Sequence, residues 1–148
     1  MSKTFPPNNI IVYADDDPDD LQLLSDSLHQ YSDRVELLTF CDGIQALTYL
    51  QNISPNEPLP CLIILDVNMP RLDGKELLKQ LRQHKRFAKV PVVLFTTSSL
   101  ESDKDFALKH NAGFLTKPID IRQMEIITDQ FIDHCTDDIR EEIRRKVQ

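Results

Sequence analysis

Along the chain, short apolar runs alternate with longer stretches whose apolar residues recur every three or four positions. "NIIVYA" (9–14) is a compact run, and "PDDLQLLSDSLHQY" (18–31) follows with Leu21, Leu24 and Leu28 at helical spacing. "VELLTF" (35–40) is the next strand pattern, and "GIQALTYLQNI" (43–53) places Ile44, Leu47 and Leu50 on one helical stripe. "CLIILD" (61–66) is almost continuously apolar, as befits a strand covered on both faces. Then come helix "GKELLKQLRQH" (74–84), strand "VPVVLFT" (90–96), helix "SDKDFALKH" (102–110), strand "GFLTK" (113–117) and helix "IDIRQMEIITDQFIDHC" (119–135). Five strand–helix units predict an α/β fold with a parallel sheet and helices on both faces. Right-handed crossovers reduce the topologies to a few, the flavodoxin-like order 2-1-3-4-5 among them.

The stretch from Asn52 to Pro60, with three prolines, reads as a loop. The organisation predicted is a tail over 1–8, one domain over 9–135, and a remainder over 136–148. That remainder, "TDDIREEIRRKVQ", pairs Glu141 with Arg145 and Glu142 with Lys146 at i,i+4, so it is either a helical extension or a frayed tail.

Composition removes several functions. A formal charge of −7 opposes general nucleic-acid binding, which needs a basic surface. No apolar stretch approaches the roughly 18–20 residues that span a bilayer, and "MSKTFPPNN" lacks the apolar core of a secretory signal. Cys41, Cys61 and Cys135 are odd in number and far apart, which suits a reducing cytosol better than a disulfide framework and points to a cytoplasmic protein.

Ligands of open parallel sheets bind beyond the carboxyl ends of the strands. Asp15 and Asp16 follow the first strand, Asp66 the third, Thr96 and Thr97 the fourth, and Lys117 ends the fifth. The segment "YADDDPDD" carries five aspartates, and three have a structural reason: Asp17 caps a helix, Pro18 fits its first position, and Asp19 and Asp20 face the positive end of its dipole. Asp15 and Asp16 precede that cap and would neighbour Asp66. Three carboxylates so close cannot all stay ionised without a cation or a proton, and hard oxygen ligands suit Mg²⁺.

Four separated motifs, "ADDDP", "LDVNMPRLDG", "LFTTSS" and "FLTKP", each at a strand end, resemble the receiver domain of two-component response regulators. The likeness covers about residues 9–135. It leans toward the chemotaxis-receiver-like single-domain members that pair with bacterial sensor kinases, phytochrome-type ones included. The resemblance implies that Asp66 accepts a phosphoryl group from a histidine kinase or histidine phosphotransfer protein. It implies that Asp15, Asp16 and Asp66, with the Asn68 backbone carbonyl, hold Mg²⁺, and that Thr96 and Lys117 contact the phosphoryl oxygens. It also implies a cis Lys117–Pro118 peptide and a switching aromatic at Phe114. The phosphoryl charge would draw Thr96 inward, let Phe114 turn in, and remodel a face made of helix four, strand five and helix five. That face would carry the contact with a downstream protein target, and it is a possible homodimer interface. Output through protein contact is expected because no further domain follows, with no enzymatic role beyond self-catalysed phosphotransfer and dephosphorylation.

Two rivals differ in class. A phosphatase of the haloacid-dehalogenase type needs a second acid two residues after its nucleophile, where this chain has Asn68. A phosphate-independent, receiver-like docking module would not need the set Asp15, Asp16, Asp66, Thr96 and Lys117.

The chain also departs from the family pattern. His110 and Asn111 stand where Gly-Ala is frequent, and Asn111 is expected to supply the left-handed residue that ends the fourth helix. Thr97 replaces a frequent Ala, and Phe114 lacks a tyrosine hydroxyl. Asp42-Gly43 is read as a loop-to-helix junction, Gly74 as a residue permitting positive φ, and Cys61 as a buried apolar filler. The histidines are expected at solvated helix ends, and Lys79, Arg82, Lys85, Arg86 and Lys89 on a solvated face or a docking patch.

Overall fold

The computed structural model describes residues 9–31 and 33–145. Five strands, β1 (Asn9–Ala14), β2 (Val35–Phe40), β3 (Leu62–Leu65), β4 (Val92–Thr96) and β5 (Gly113–Thr116), form one parallel sheet in the order β2-β1-β3-β4-β5. The helices are α1 (Pro18–Leu28), α2 (Gly43–Gln51), α3 (Gly74–Gln83), α4 (Glu101–Lys109), α5 (Met124–Asp133) and α6 (Asp137–Arg145). This is the doubly wound, flavodoxin-like architecture that the alternation predicts.

The two-residue period of the strands divides the core. Val12, Ala14, Ile63, Leu65, Val92 and Leu94 face α2, α3 and the Ala107 side of α4. Ile11, Tyr13, Leu62, Ile64, Val93 and Phe95 face α1, α5 and α6. The central strand β3 is buried on both sides, so truncating Ile63 or Ile64 to Ala would cost about 2–5 kcal/mol.

Aspartates start three of the helices. Asp17, Asp42 and Asp73 each accept a backbone N–H of the first turn, from Asp19, Gln45 and Glu76 respectively. Asn111 takes φ 54°, and the Ala112 N–H returns to the Ala107 carbonyl at 2.8 Å, closing α4 as expected of a left-handed Asn. Gly74 has no positive φ. It is required because a Cβ there would run into the Asp66 carbonyl, so α3 begins hard against the end of β3. Arg71 is the residue with positive φ (68°) in that loop, its guanidinium paired with Asp42.

Other details differ from the sequence pattern. The stretch before α5 is not helical from Ile119: Asp120 forms a turn with the Arg122 N–H, and a 3₁₀ turn (Ile121–Gln123) precedes the α-helix. All peptide bonds among the described residues are trans, Lys117–Pro118 included, contrary to the expected cis bond. Trans is the intrinsically favoured X–Pro form by about 0.5–1 kcal/mol, and Lys117 makes its side-chain contacts from it. Cys61 lies just before β3, half-buried, against the same core cluster as the buried Cys135.

Two members of the basic cluster turn inward. The Arg82 guanidinium donates to the carbonyls of Phe87, Val90, His110 and Asn111 at 2.7–3.1 Å. Arg86 donates to those of Ile53, Ser54 and Glu57. All four histidines are helix C-caps. Helix α6 packs Ile143, fully buried, beneath the sheet, and Arg144 pairs with Asp129 and Asp133 of α5 at 2.6 and 2.9 Å. Among the described residues no helix is long and apolar enough to cross a membrane.

Candidate functional site

The carboxyl ends of β1, β3, β4 and β5 converge on one acidic hollow. Asp15 and Asp16 leave β1, Asp66 leaves β3, Thr96 ends β4 and Lys117 follows β5. One carboxylate oxygen from each of Asp15, Asp16 and Asp66 lies within 4.8 Å of the others. Asp15 is 0% and Asp66 5% exposed, whereas Asp16 is open to solvent.

Asp15 accepts from three donors. Its Oδ2 accepts the Tyr13 hydroxyl at 2.6 Å and the Lys117 ammonium at 2.7 Å, and its Oδ1 accepts the Asp17 N–H at 2.9 Å. Burial and the Asp15 charge push the Tyr13 phenol well above its ordinary range, so it is a fixed donor. Lys117 also donates to Asp20 at 2.7 Å and stands 3.7 Å from Asp66. Burial opposes its charge, but the hydrogen bonds to Asp15 and Asp20 outweigh it and raise its pKa. Of the two buried carboxylates, Asp66 is the less well satisfied. Desolvation, then the neighbouring Asp15 charge, push its pKa up to about 7, against the opposing pull of Lys117 and the Asn68 N–H.

Thr96 is fully buried. Its Oγ1 accepts the Ser98 N–H at 3.2 Å, leaving the hydroxyl proton available. Its carbonyl accepts the Lys117 N–H at 2.8 Å, which ties the ends of β4 and β5 together. Asn68 is exposed at the hollow's rim. Phe114 lies apart from these groups, half-buried on the α4 side of β5 and opposite Leu94 in the ladder.

Residues 11–129 match the response regulator receiver domain family. The chain belongs to that family. The receiver is 33% identical over 127 residues to response regulator Rcp1 of Synechocystis sp., covering 84% of this chain and 86% of that protein. It is 34% identical over 118 residues to the alkaline phosphatase synthesis transcriptional regulatory protein PhoP of Bacillus subtilis, covering 79% of this chain but 45% of that protein. Among solved structures it is similar to the phosphorylated cyanobacterial phytochrome response regulator RcpA, with TM-score 0.77 and 26% identity over 88% of this chain and 98% of that one. It is also similar to the Mn²⁺-bound form of Rcp1, with TM-score 0.74 and 30% identity over 81% and 88%.

The receiver's donor set fits a hard divalent cation. Three carboxylate oxygens at this spacing can approach one ion with metal–oxygen distances of about 2.1 Å after small side-chain rotations. Two members of the site carry no distinctive signal in the sequence. Tyr13 reads as core, although i and i+2 of a strand share a face and so place it beside Asp15. Asp20 reads as a helix-dipole residue, yet its carboxylate holds Lys117 across the chain.

Proposed function

We propose that this receiver accepts a phosphoryl group on Asp66 from the phosphohistidine of a histidine kinase or histidine phosphotransfer protein, in a Mg²⁺-dependent step. The observation that carries this reading is the buried Asp66 carboxylate, flanked by two further acids and by the Lys117 ammonium 3.7 Å away. An Asp66 oxygen attacks phosphorus in line, the phosphorus–nitrogen bond of the donor breaks, and the donor imidazole keeps the electron pair. Asp15, Asp16 and Asp66, with the Asn68 carbonyl, would hold the Mg²⁺, which when bound neutralises charge on the transferring group. Lys117 swings from Asp20 toward the phosphoryl oxygens, and the Thr96 hydroxyl donates to another of them. The phosphoryl charge draws the Thr96 hydroxyl inward and the loop after β4 with it, which shifts the surface of α4, β5 and α5.

That surface is suited to protein contact, since Leu100, Leu108 and Ile126 stand exposed along it. The receiver acts as a cytoplasmic switch on a downstream protein, and its own chemistry is limited to phosphotransfer and hydrolysis. The test is intact mass after incubation with acetyl phosphate, with and without Mg²⁺. One added phosphoryl group that requires Mg²⁺ and disappears in Asp66→Asn supports the reading. No gain in the native chain would sink it and favour a phosphate-independent docking module.

A further inference from the structure

Asp103 is the third residue of α4 and is 4% exposed, a buried carboxylate outside the acidic hollow. Its Oδ1 accepts the Lys75 ammonium at 2.7 Å, and its Oδ2 accepts the Ser98 hydroxyl at 3.0 Å. These two bonds hold its pKa below the usual carboxylate range, the Lys75 bond most strongly. Lys75 is the second residue of α3, next to Gly74, whose backbone is packed on Asp66. Its ammonium also lies 5.7 Å from the centroid of the Phe106 ring on α4.

Ser98 is therefore held at three points. Its N–H donates to Thr96 Oγ1, its hydroxyl donates to Asp103, and the same oxygen accepts the Leu100 N–H at 3.2 Å. Leu100 is the N-cap of α4 and provides no side-chain cap, so Ser98 and Asp103 fasten that end of the helix. The chain of contacts runs from Thr96 through Ser98 and Asp103 to Lys75, at the start of the helix that begins against Asp66.

We propose that Lys75 and Asp103 are positioning residues that lock Ser98 to α4, so that movement of Thr96 toward a phosphoryl group is transmitted to α4 through Ser98. The inference rests on the phosphoacceptor reading. A buried carboxylate loses a bond it cannot replace with water if Ser98 leaves, so α4 follows the loop. Without the lock, Thr96 still reaches its ligand and α4 stays behind.

The experiment is NMR of the full chain with Mg²⁺, before and after beryllofluoride, in wild type, Ser98→Ala, Lys75→Met and Lys75→Arg. Ser98→Ala is the milder change, so it keeps the test open if Lys75→Met unfolds. The expected result is full shifts near Asp66 in all four, with amide shifts at Glu101 and Lys104, in the first turn of α4, reduced at least about twofold in Ser98→Ala and Lys75→Met and restored in Lys75→Arg. Acetyl phosphate uptake should stay within about threefold of wild type. Undiminished α4 shifts in both Ser98→Ala and Lys75→Met would overturn the inference alone. A wild-type chain that takes up neither phosphoryl group nor beryllofluoride would overturn the phosphoacceptor reading and this inference with it.

Discussion

At the scale of residues, the site gathers negative charge that is costly to bury. Asp66 has a folded-state pKa of about 7 against 3.8 for the free side chain. Between those values the folded chain binds more protons than the unfolded one. Its contribution to stability is therefore fully present below about pH 4 and is lost as pH rises through about 7. Asp66→Asn should accordingly raise the melting temperature at pH 8 without metal, by roughly 4 °C or more, and thermal melts with EDTA would measure it. In the native chain, millimolar Mg²⁺ at pH 8 should recover much of the same gain; equal melts with and without metal would contradict the fit of the site. The three acids were legible because each follows an apolar run in a fold whose strand ends all point one way. Tyr13 and Asp20 were not, because a strand tyrosine and a first-turn aspartate have ordinary structural uses, and only tertiary placement turns them toward Asp15 and Lys117.

Elements follow the hydrophobic periodicity closely, and their ends follow turn chemistry less visibly. The cap Asp17 could be read directly, since it stands immediately before a helical pattern, and Asp42-Gly43 could be read as a junction that the structure shows to be a capped one. The start of α5 could not, because the Asp120 turn interrupts a stretch whose apolar spacing alone looks helical. Asp42 both caps α2 and pairs with Arg71, so Asp42→Ala should destabilise by about 1–2 kcal/mol in urea unfolding. Asn111→Gly should do the opposite. At φ 54° a side chain is a liability, and removing it should stabilise by roughly 0.5–1 kcal/mol, provided the Ala112 to Ala107 bond persists in the amide-exchange pattern.

For the whole molecule, parallel strands, short loops and one handedness narrowed the sheet to a few arrangements, and the family likeness picked the observed order from among them. The trans Lys117–Pro118 bond was not, since only a family likeness had spoken for cis. The residues of α6 left helix and frayed tail equally open. The deciding fact is long-range: Ile143 is buried beneath the sheet, and Arg144 reaches Asp129 and Asp133. Helix α6 borders a groove with Asn9, Pro60, Cys61 and Pro91, at the end of the sheet opposite Asp66. Ending the chain after Cys135 should therefore lower stability by about 2–3 kcal/mol, while phosphoryl uptake measured by mass stays close to wild type. The inward turn of Arg82 has a further consequence. Its guanidinium holds the carbonyls of His110 and Asn111 together with those of Phe87 and Val90, so the carboxyl end of α4 is riveted to the segment leading into β4. A helix fixed at that end and pulled at the other behaves as a lever on a fulcrum: it tilts, and its displacement grows toward Glu101 and fades toward Lys109.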